Sequence, residues 1–404
     1  MNRESDVRAL VSGVYMDADT CLALEDGRVF FGEGFGARVE TDGEIVFNTS
    51  MAGYQEIVTD PSYRGQMVVL THPQIGNYGV QLEATESTRP WVTALVVRDL
   101  ARAPNHFLAA NKLEQYLADA GVPAVQGVDT RAITRHLRTF GTMRSALGFA
   151  RPGESLELLA QRTIERARGA TPISEKNLVA EVCDPETVRS PSKRQVGTAS
   201  AHPGLRIALV DCGVKHNIAR SLTAWGAEVI PVPWEADVED VREAGAAGVV
   251  VSNGPGDPER MEGATKLVRE LLQRSIPTMG ICLGHQVLGL ATGGTTSRLK
   301  FGHHGGNHPV LDLMTGRVHI TSQNHEFQVD AASIAERSGV LVSMVNLNDG
   351  SVEGLAHREL PAFSVQYHPE GCPGPQDNQY VFDRFLQMVA HPTTGAEALQ
   401  RVTG

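Results

Sequence analysis

Cys282 has the type and setting of a nucleophile. It lies in the segment GICLG (residues 280–284), between a short apolar run and a helix-like segment. A sharp strand-to-helix turn there would present the thiol at the top of a sheet, because the flanking glycines permit a tight backbone. The N-terminus of the following helix would favour thiolate, the reactive form of cysteine. The pattern equally fits a buried structural cysteine, so the rest of the chain must decide.

A histidine and a glutamate further along provide the partners that a thiol nucleophile needs. His368-Pro369-Glu370 follows the strand-like run Ala362–Tyr367. In extended backbone, residues i and i+2 lie on the same side, and a following proline biases a residue towards extended conformations. His368 is therefore the predicted base and Glu370 the group that orients it. A histidine in a polar loop is often structural, but the adjacent glutamate and the cysteine turn favour catalysis.

The elements around these residues alternate between strand and helix from Leu205 onwards. Apolar strands are predicted at 205–210, 228–232, 247–251 and 276–281, and helices at 217–225 and 261–274. This alternation predicts a doubly wound, mostly parallel α/β sheet. Ligands bind at the carboxyl ends of such strands, and that edge carries both the cysteine turn and the loop SNGPGDP (252–258). Glycines in that loop would let backbone N–H groups approach a ligand.

The N-terminal part is strand-rich and predicts a mixed α+β domain, with sheet first and helices after. Asp26-Gly27 and Asp42-Gly43 each lie within apolar stretches and predict two hairpins with type I′ turns. Further strands are predicted at 67–70 and 92–97, and helices at 109–120 and 130–139, the latter capped by Asp129. The polar passage from Asn48 to Tyr63 fits a capped loop, unless it serves a site.

Four regions follow from these patterns. We predict an N-terminal domain over 1–152, a linker region over 153–203, a catalytic domain over 204–392 and a mobile tail over 393–404. The linker region begins with helical spacing and ends in RSPSKRQVGTASAHPG, which has the Ser, Pro, Gly and basic residues of an exposed connection.

Composition excludes several function classes. The net charge of −11 over 404 residues argues against binding to nucleic acid or to an anionic membrane. No apolar run approaches the ~18 residues of a membrane span, and the N-terminus lacks the apolar core of a secretory signal. The five cysteines are odd in number and form no CxxC pair, which predicts a cytoplasmic protein without disulfides or a zinc knuckle.

The histidine-rich segment KFGHHGGNHPV (300–310) is predicted to be a polar loop that supports the active edge. Its histidines have no carboxylate or cysteine at ligand spacing in the sequence, so no metal site is predicted.

Three C-terminal segments together resemble the class I (triad) glutamine amidotransferases: GICLGHQ, SNGPGDP and HPE. Segments of both halves are similar to the small, glutaminase chains of carbamoyl phosphate synthetases, namely FNTSMAGYQEIVTDPSYRGQMVVLTHPQIGNYG, GVDTRAITRHLR, DCGVKHNIAR and KFGHHGGNHPV. The resemblance covers nearly the whole chain and is weakest over 151–203 and at the C-terminus.

The resemblance implies roles for individual residues. Cys282 would attack the glutamine side-chain amide, and His368, oriented by Glu370, would act as base and then as acid. The oxyanion donors would be the backbone N–H groups of Leu283 and Gly254. The implied glutamine-binding residues are Ser50, Gly254, Gly256, Leu283, Gln286, Asn324, Glu326 and Phe327. Ser50 would reach that pocket from the N-terminal domain.

The chain departs from the family pattern at two places. Glu326 stands in QNHEF where the family commonly has glycine, and a positive φ there would strain the backbone. The segment after Glu370 is GCPGP rather than ASPGP.

By the resemblance, the chain makes ammonia and passes it to a large synthetase chain. The sequence contains no GxxxxGK[ST] phosphate loop, so no cofactor is expected here, and ATP, bicarbonate and a divalent metal are expected on the large chain. Two alternatives remain. One is the glutaminase of another amidotransferase, which the N-terminal half argues against; the other is a non-catalytic regulatory scaffold, which the complete triad argues against.

Overall fold

The computed structural model describes residues 18–183, 202, 204–334 and 339–400. It divides into two compact units, Met1–Lys176 and Asn177–Gly404. The strands are β1 Thr20–Leu24, β2 Val29–Gly36, β3 Thr41–Asn48, β4 Gln66–Leu70, β5 Gln74–Ile75, β6 Ala94–Val96, β7 Asp99–Leu100, β8 Pro123–Gln126, β9 Met143–Phe149, β10 Arg206–Asp211, β11 Glu228–Pro233, β12 Gly248–Val251, β13 Thr278–Ile281, β14 Thr296–Asp312, β15 Val318–Val329, β16 Val340–Asn346, β17 Val352–His357 and β18 Ala362–Val365. The helices are α1 Tyr54–Thr59, α2 Leu113–Asp119, α3 Thr130–Phe140, α4 Leu156–Gly169, α5 Val179–Val182, α6 His216–Ala224, α7 Val238–Glu243, α8 Glu262–Gln273, α9 Leu283–Ala291, α10 Tyr380–Ala390 and α11 Gly395–Gln400. In the described ranges, no helix is long and apolar enough to cross a membrane.

The N-terminal unit is built on a closed barrel in the order β1-β2-β8-β6-β4-β3-β9. This confirms the strand-rich mixed domain. Asp129 caps α3 as predicted, since its side chain accepts a hydrogen bond from Ala132 N at 2.9 Å. The predicted helix over 109–120 is shorter, because α2 begins only at Leu113.

The two predicted hairpins have different outcomes. Asp26-Gly27 does join β1 to β2, but only Gly27 has a positive φ, +96°, so the turn is a three-residue loop closed by a left-handed glycine and not type I′. The prediction at Asp42-Gly43 is wrong, because both residues lie inside β3. Gly43 is needed there for close packing: a Cβ would lie 2.5 Å from the carbonyl oxygen of Gly65.

The C-terminal unit contains one nine-stranded sheet in the order β11-β10-β12-β13-β18-β17-β16-β14-β15. The first five strands pair in parallel and the remaining four extend the sheet antiparallel, in line with the predicted α/β class. Burial on both faces explains the continuous apolar runs: Val249 and Val251 face one core cluster, and Val250 faces the other.

Three regional predictions need correction. Within the predicted linker, α4 packs Leu159 and Ala160 against the barrel strands, so it belongs to the N-terminal unit; residues 184–201 and 203 lie outside the described residues. The predicted mobile tail forms α11 over 395–400, with Leu399 buried in the core. Residues 300–310 are not a loop but the middle of β14, whose pairing with β15 accommodates the glycines as bulges.

Candidate active site

Cys282 occupies the turn between β13 and α9, in a backbone conformation that side chains rarely adopt. Its φ is +53° and its ψ is −103°. Glycines on both sides allow the turn through close packing rather than through their own φ: a Cβ on Gly280 would lie 2.3 Å from Gly284 O, and a Cβ on Gly284 would lie 2.1 Å from Val251 O. Strain held in this way is typical of functional turns.

Gly284→Ala is expected to destabilise the chain by about 3 kcal/mol or more, because the new methyl group would collide with backbone that cannot move aside. Gly263→Ala is the matched control, since Gly263 is likewise the second residue of its helix but has open space around it. The control should be neutral or stabilising, by up to about 1 kcal/mol. Urea unfolding of both variants tests this, and equal midpoints would contradict it.

His368 and Glu370 follow β18 and form a buried pair. The distance from His368 Nδ1 to Glu370 Oε1 is 2.7 Å, and the exposures of the two residues are 2% and 0%. The backbone N–H of His368 donates to Ser322 O at 2.9 Å, which ties this segment to β15. Because Nδ1 is committed to the carboxylate, Nε2 is the nitrogen left for a proton exchange with a thiol.

The electrostatics of the pair favour a protonated imidazole. Burial by itself lowers the pKa of His368, but the Glu370 carboxylate and the Cys282 sulfur raise it to about 10. The Nε2 atom has no hydrogen-bond partner among the described residues. Contacts between nucleophile and base are commonly long until substrate binds.

Lys215 is a member of this site that the residue patterns did not single out. Its Nζ lies 2.9 Å from Glu370 Oε1, and the lysine is only 2% exposed. Burial raises the pKa of Glu370, but Lys215 and His368 outweigh it and hold that pKa at about 2. Lys215 therefore keeps the Glu370 carboxylate ionised where it contacts the His368 imidazole. In DCGVKHN the lysine stands between an apolar strand and a helix, where a side chain is expected to be buried. Because a buried lysine needs a charged partner, this position is the signal that would have found it.

The predicted oxyanion donors lie next to each other at the carboxyl edge of the sheet. A Cβ on Gly254 would lie 2.1 Å from Cys212 O and 2.9 Å from Leu283 Cδ2, so only glycine fits. The backbone N–H of Gly284 donates to Ser252 O at 3.1 Å and joins the loop to the start of α9. The geometry brings the residue after the nucleophile and the glycine loop together.

Two of the other predicted glutamine-binding residues of the C-terminal unit, Asn324 and Gln286, contact Cys282. Asn324 O is 3.5 Å from Cys282 Sγ, which places β15 beside the thiol. Gln286 Nε2 donates to Phe327 O at 2.8 Å. Gly256 adopts a left-handed φ of +93° in the loop after β12.

Ser50 lies in the N-terminal unit, just after β3. Its backbone N–H donates to Asn48 Oδ1 at 2.7 Å, which makes a local turn. Its hydroxyl oxygen is buried and has no hydrogen-bond partner among the described residues.

Comparison with known proteins assigns a family to each part of the chain. Residues 22–147 match the model for the carbamoyl-phosphate synthase small chain, CPSase domain, and residues 208–388 match glutamine amidotransferase class-I. A carbamoyl phosphate synthase small chain of Symbiobacterium thermophilum is 49% identical over 91% of this chain and 97% of its own length. One of Methanopyrus kandleri is 47% identical, over 91% and 98% respectively. The chain belongs to the carbamoyl phosphate synthase small-chain family.

Membership of the small-chain family bears on the alternatives left open by the sequence. The match over 22–147 covers the barrel unit, which the class-I amidotransferase model does not include, and this disfavours another amidotransferase. A carbamoyl phosphate synthase pyrimidine-specific small chain of Bacillus subtilis is 42% identical over 94% of this chain and 98% of its own length.

Glu326, where the resemblance led us to expect glycine, is not strained. Within the described residues, Ser275 and Cys282 are the only non-glycine residues with positive φ. The Glu326 carboxylate instead forms an ion pair with Arg298 Nη2 at 2.6 Å and contacts His304 Nε2 at 3.2 Å. His304 Nδ1 in turn lies 3.0 Å from Asn324 Oδ1. His304 therefore connects Glu326 to Asn324, a predicted glutamine-binding residue.

Glu326→Gly, which introduces the glycine that the resemblance led us to expect, should destabilise this chain by about 1–3 kcal/mol. The loss has two sources: the buried His304 and the partly exposed Arg298 lose their contacts with the carboxylate, and glycine is unfavourable inside a strand. Glu326→Gln keeps the volume and part of the hydrogen bonding, so it should lose less. Urea unfolding of the two variants tests the order, and a glycine variant as stable as wild type would contradict it.

The second departure, GCPGP after Glu370, leaves the His368–Glu370 contact formed. Cys372 itself is buried. None of the five cysteines, all of which lie in the described ranges, forms a disulfide.

Proposed function

We propose that this chain hydrolyses L-glutamine through a thioester on Cys282, as the glutaminase of a carbamoyl phosphate synthase. The observation that carries the proposal is the buried series of contacts Lys215–Glu370–His368, whose histidine interacts electrostatically with a cysteine held on a strained turn. That alignment stabilises an imidazolium beside a thiolate, which is the reactive state of a Cys–His pair.

The reaction follows from the protonation states. The Cys282 thiolate attacks the side-chain amide carbon of glutamine, and the carbonyl oxygen takes the negative charge. The imidazolium of His368 gives its Nε2 proton to the departing nitrogen, so ammonia leaves and the glutamyl thioester forms. Neutral His368 then accepts a proton from water as the water attacks the thioester. Glutamate leaves, and the thiolate–imidazolium pair is restored.

Backbone N–H groups of Leu283 and Gly254 are the proposed donors to the oxyanion. Such a donor is typically worth about 3–4 kcal/mol of the barrier. The proposed glutamine-binding set is Ser50, Gly254, Gly256, Leu283, Gln286, Asn324, Glu326 and Phe327. For Glu326 the contact would be made by the backbone, because its side chain is engaged with Arg298 and His304.

The ammonia is passed on to a large partner chain, which we infer to hold ATP, bicarbonate and a divalent metal and to make carbamoyl phosphate. The relatives at 45–49% identity are named as small chains, which supports a two-chain enzyme. The N-terminal unit is the proposed partner contact. The product would serve arginine or pyrimidine synthesis, and cysteines that form no disulfide suit the proposed cytoplasmic location.

Acid quenching of the chain during turnover of labelled glutamine tests this function. A label bound covalently to the peptide that contains Cys282, together with co-purification of a large ATP-hydrolysing chain, is the expected result. A labelled chain without a large partner would point to another amidotransferase. No label and no glutamate release, with or without the partner, would support the scaffold alternative.

A further inference from the structure

A second cluster of chemically active side chains lies on β14, β15 and β17. We propose that His303, His325 and Glu353 bind a divalent transition-metal cation, with Zn²⁺ the best match. One ligand atom from each residue lies within 4.8 Å of the other two. The exposures are 5%, 5% and 0%, so the cluster is enclosed. His303 and His325 are direct partners across the β14–β15 ladder, and Glu353 comes from β17, 28 positions beyond His325.

Both imidazoles are oriented as metal ligands are. His303 Nε2 lies 2.8 Å from Asp349 Oδ2, and His325 Nδ1 lies 2.7 Å from Phe327 O. Each contact assigns the ring N–H to the nitrogen that makes it, His303 Nε2 or His325 Nδ1, which we call the outer nitrogens. The other ring nitrogens, His303 Nδ1 and His325 Nε2, are the inner nitrogens, and each keeps a lone pair. A carboxylate or carbonyl behind the ring is the usual second layer of a metal–histidine site.

The inner nitrogens make no hydrogen bond in the part of the chain that the structure describes. His303 Nδ1 and His325 Nε2 are buried and have no hydrogen bond among the described residues. Buried polar atoms are nearly always hydrogen-bonded. Two neighbouring buried nitrogens without hydrogen bonds therefore indicate a ligand that the protein itself does not supply.

Glu353 is held in place as an anionic ligand. Its Oε1 accepts from Asn346 Nδ2 and its Oε2 from Gln323 Nε2, both at 2.8 Å. A carboxylate oxygen has a further lone pair for a metal, and Oε1 lies 3.6 Å from His303 Nδ1. Two histidines and one glutamate form a ligand set that Zn²⁺ takes in proteins, with water as the fourth ligand.

A proton is the competing occupant. A protonated His303 would bridge two carboxylates, because its Nε2 lies 2.8 Å from Asp349 Oδ2 and its Nδ1 lies 3.6 Å from Glu353 Oε1. That arrangement satisfies His303 and leaves the buried His325 Nε2 without a hydrogen bond among the described residues. A metal ion satisfies both rings. Ligand atoms about 3.4 Å apart are needed around zinc, so the side chains must close by roughly an ångström.

The position of the cluster gives the metal a structural task. His325 lies between Asn324 and Glu326, on the strand whose carbonyl oxygen contacts the Cys282 sulfur. A cation that ties β14, β15 and β17 together would hold that strand rigid. Its loss would loosen the region without removing any member of the triad.

The test uses the full chain, freed of metal with a chelator and titrated with Co²⁺ and Zn²⁺. The expected result is one ion per chain, visible bands of four-coordinate Co²⁺ and a thermal midpoint raised by Zn²⁺. Cys282→Ser is titrated in parallel and should bind equally, which excludes the active-site thiol as ligand. Glu353→Gln should abolish binding, and Asp349→Asn, which removes only the outer carboxylate, should weaken it about 10–100-fold.

His136→Gln is the matched control, because His136 is a buried histidine paired with one carboxylate, Asp26, at 2.6 Å. It should leave the stoichiometry unchanged. Wild-type chain that takes up no Co²⁺ or Zn²⁺ above the background of a protein-free buffer would overturn the proposal and leave a proton or water as the occupant. That outcome needs no variant to fold, and it is independent of the glutaminase proposal.

Discussion

Cys282→Ser is expected to lower glutamine-dependent carbamoyl phosphate synthesis by at least about a thousandfold, while synthesis from free ammonia is unchanged. A serine hydroxyl in this place is not ionised by a neighbouring imidazolium, so the thioester route is lost. The partner's chemistry does not depend on the thiol, and supplied ammonia bypasses it. Steady-state rates of the complex with each nitrogen source measure the effect.

Cys183→Ser is the control for this experiment. Cys183 Sγ donates to Asp211 O at 2.9 Å, a hydrogen bond that a serine hydroxyl can retain. Both activities should therefore stay close to wild type. If glutamine still supports synthesis by the Cys282→Ser complex, the nucleophile has been assigned wrongly.

Lys215→Met is expected to destabilise the chain by about 3–5 kcal/mol at neutral pH, because it leaves the Glu370 carboxylate buried without its cation. Removal of the lysine also raises the pKa of Glu370, since Lys215 is the largest influence that lowers it. A carboxyl group that is partly protonated orients and charges His368 less well, so glutaminase activity should fall in parallel. Urea unfolding and glutaminase rates measure the two effects.

The lowered pKa of Glu370 predicts how the stability difference between Lys215→Met and wild type changes with pH. The pKa of Glu370 is lowered from 4.5 to about 2, so its contribution to stability is fully present above pH 4.5 and is lost as the pH falls towards 2. The stability gap between Lys215→Met and wild type should therefore be widest at neutral pH and narrow below pH 4.5.

Lys266→Met is the matched control for the buried ion pair. Lys266 also pairs with a glutamate, Glu270, but at 3.8 Å and with a lysine side chain that is 72% exposed. Its loss should change stability by no more than about 0.5 kcal/mol. Equal losses in the two variants would show that Lys215 does not act through a buried charge.

The sequence by itself determined the family and was enough to propose the chemistry. Cys282, His368 and Glu370 could be selected because each role needs one residue type in one local setting: a cysteine between glycines, a histidine before proline, and a glutamate two residues on. The alternation of apolar strands and helices determined the α/β class for the same reason, since a buried parallel strand consists of consecutive apolar residues. Asp129 was predicted as a cap because capping is a local interaction.

Only the tertiary structure decided the features that depend on residues far apart in the chain. Asp42-Gly43 has the local signal of a turn, yet the approach of Gly65 places it inside a strand. Lys215 and Glu370 are 155 positions apart and form one buried ion pair. The strain expected at Glu326 is absent because strand pairing, which no single residue encodes, keeps its backbone extended. Spacing in the sequence argued against a metal near the histidines of 300–310, since Glu353 approaches them only when β17 joins the same sheet. Local residue types state what a site can do, whereas long-range packing decides which charges and ligands surround it.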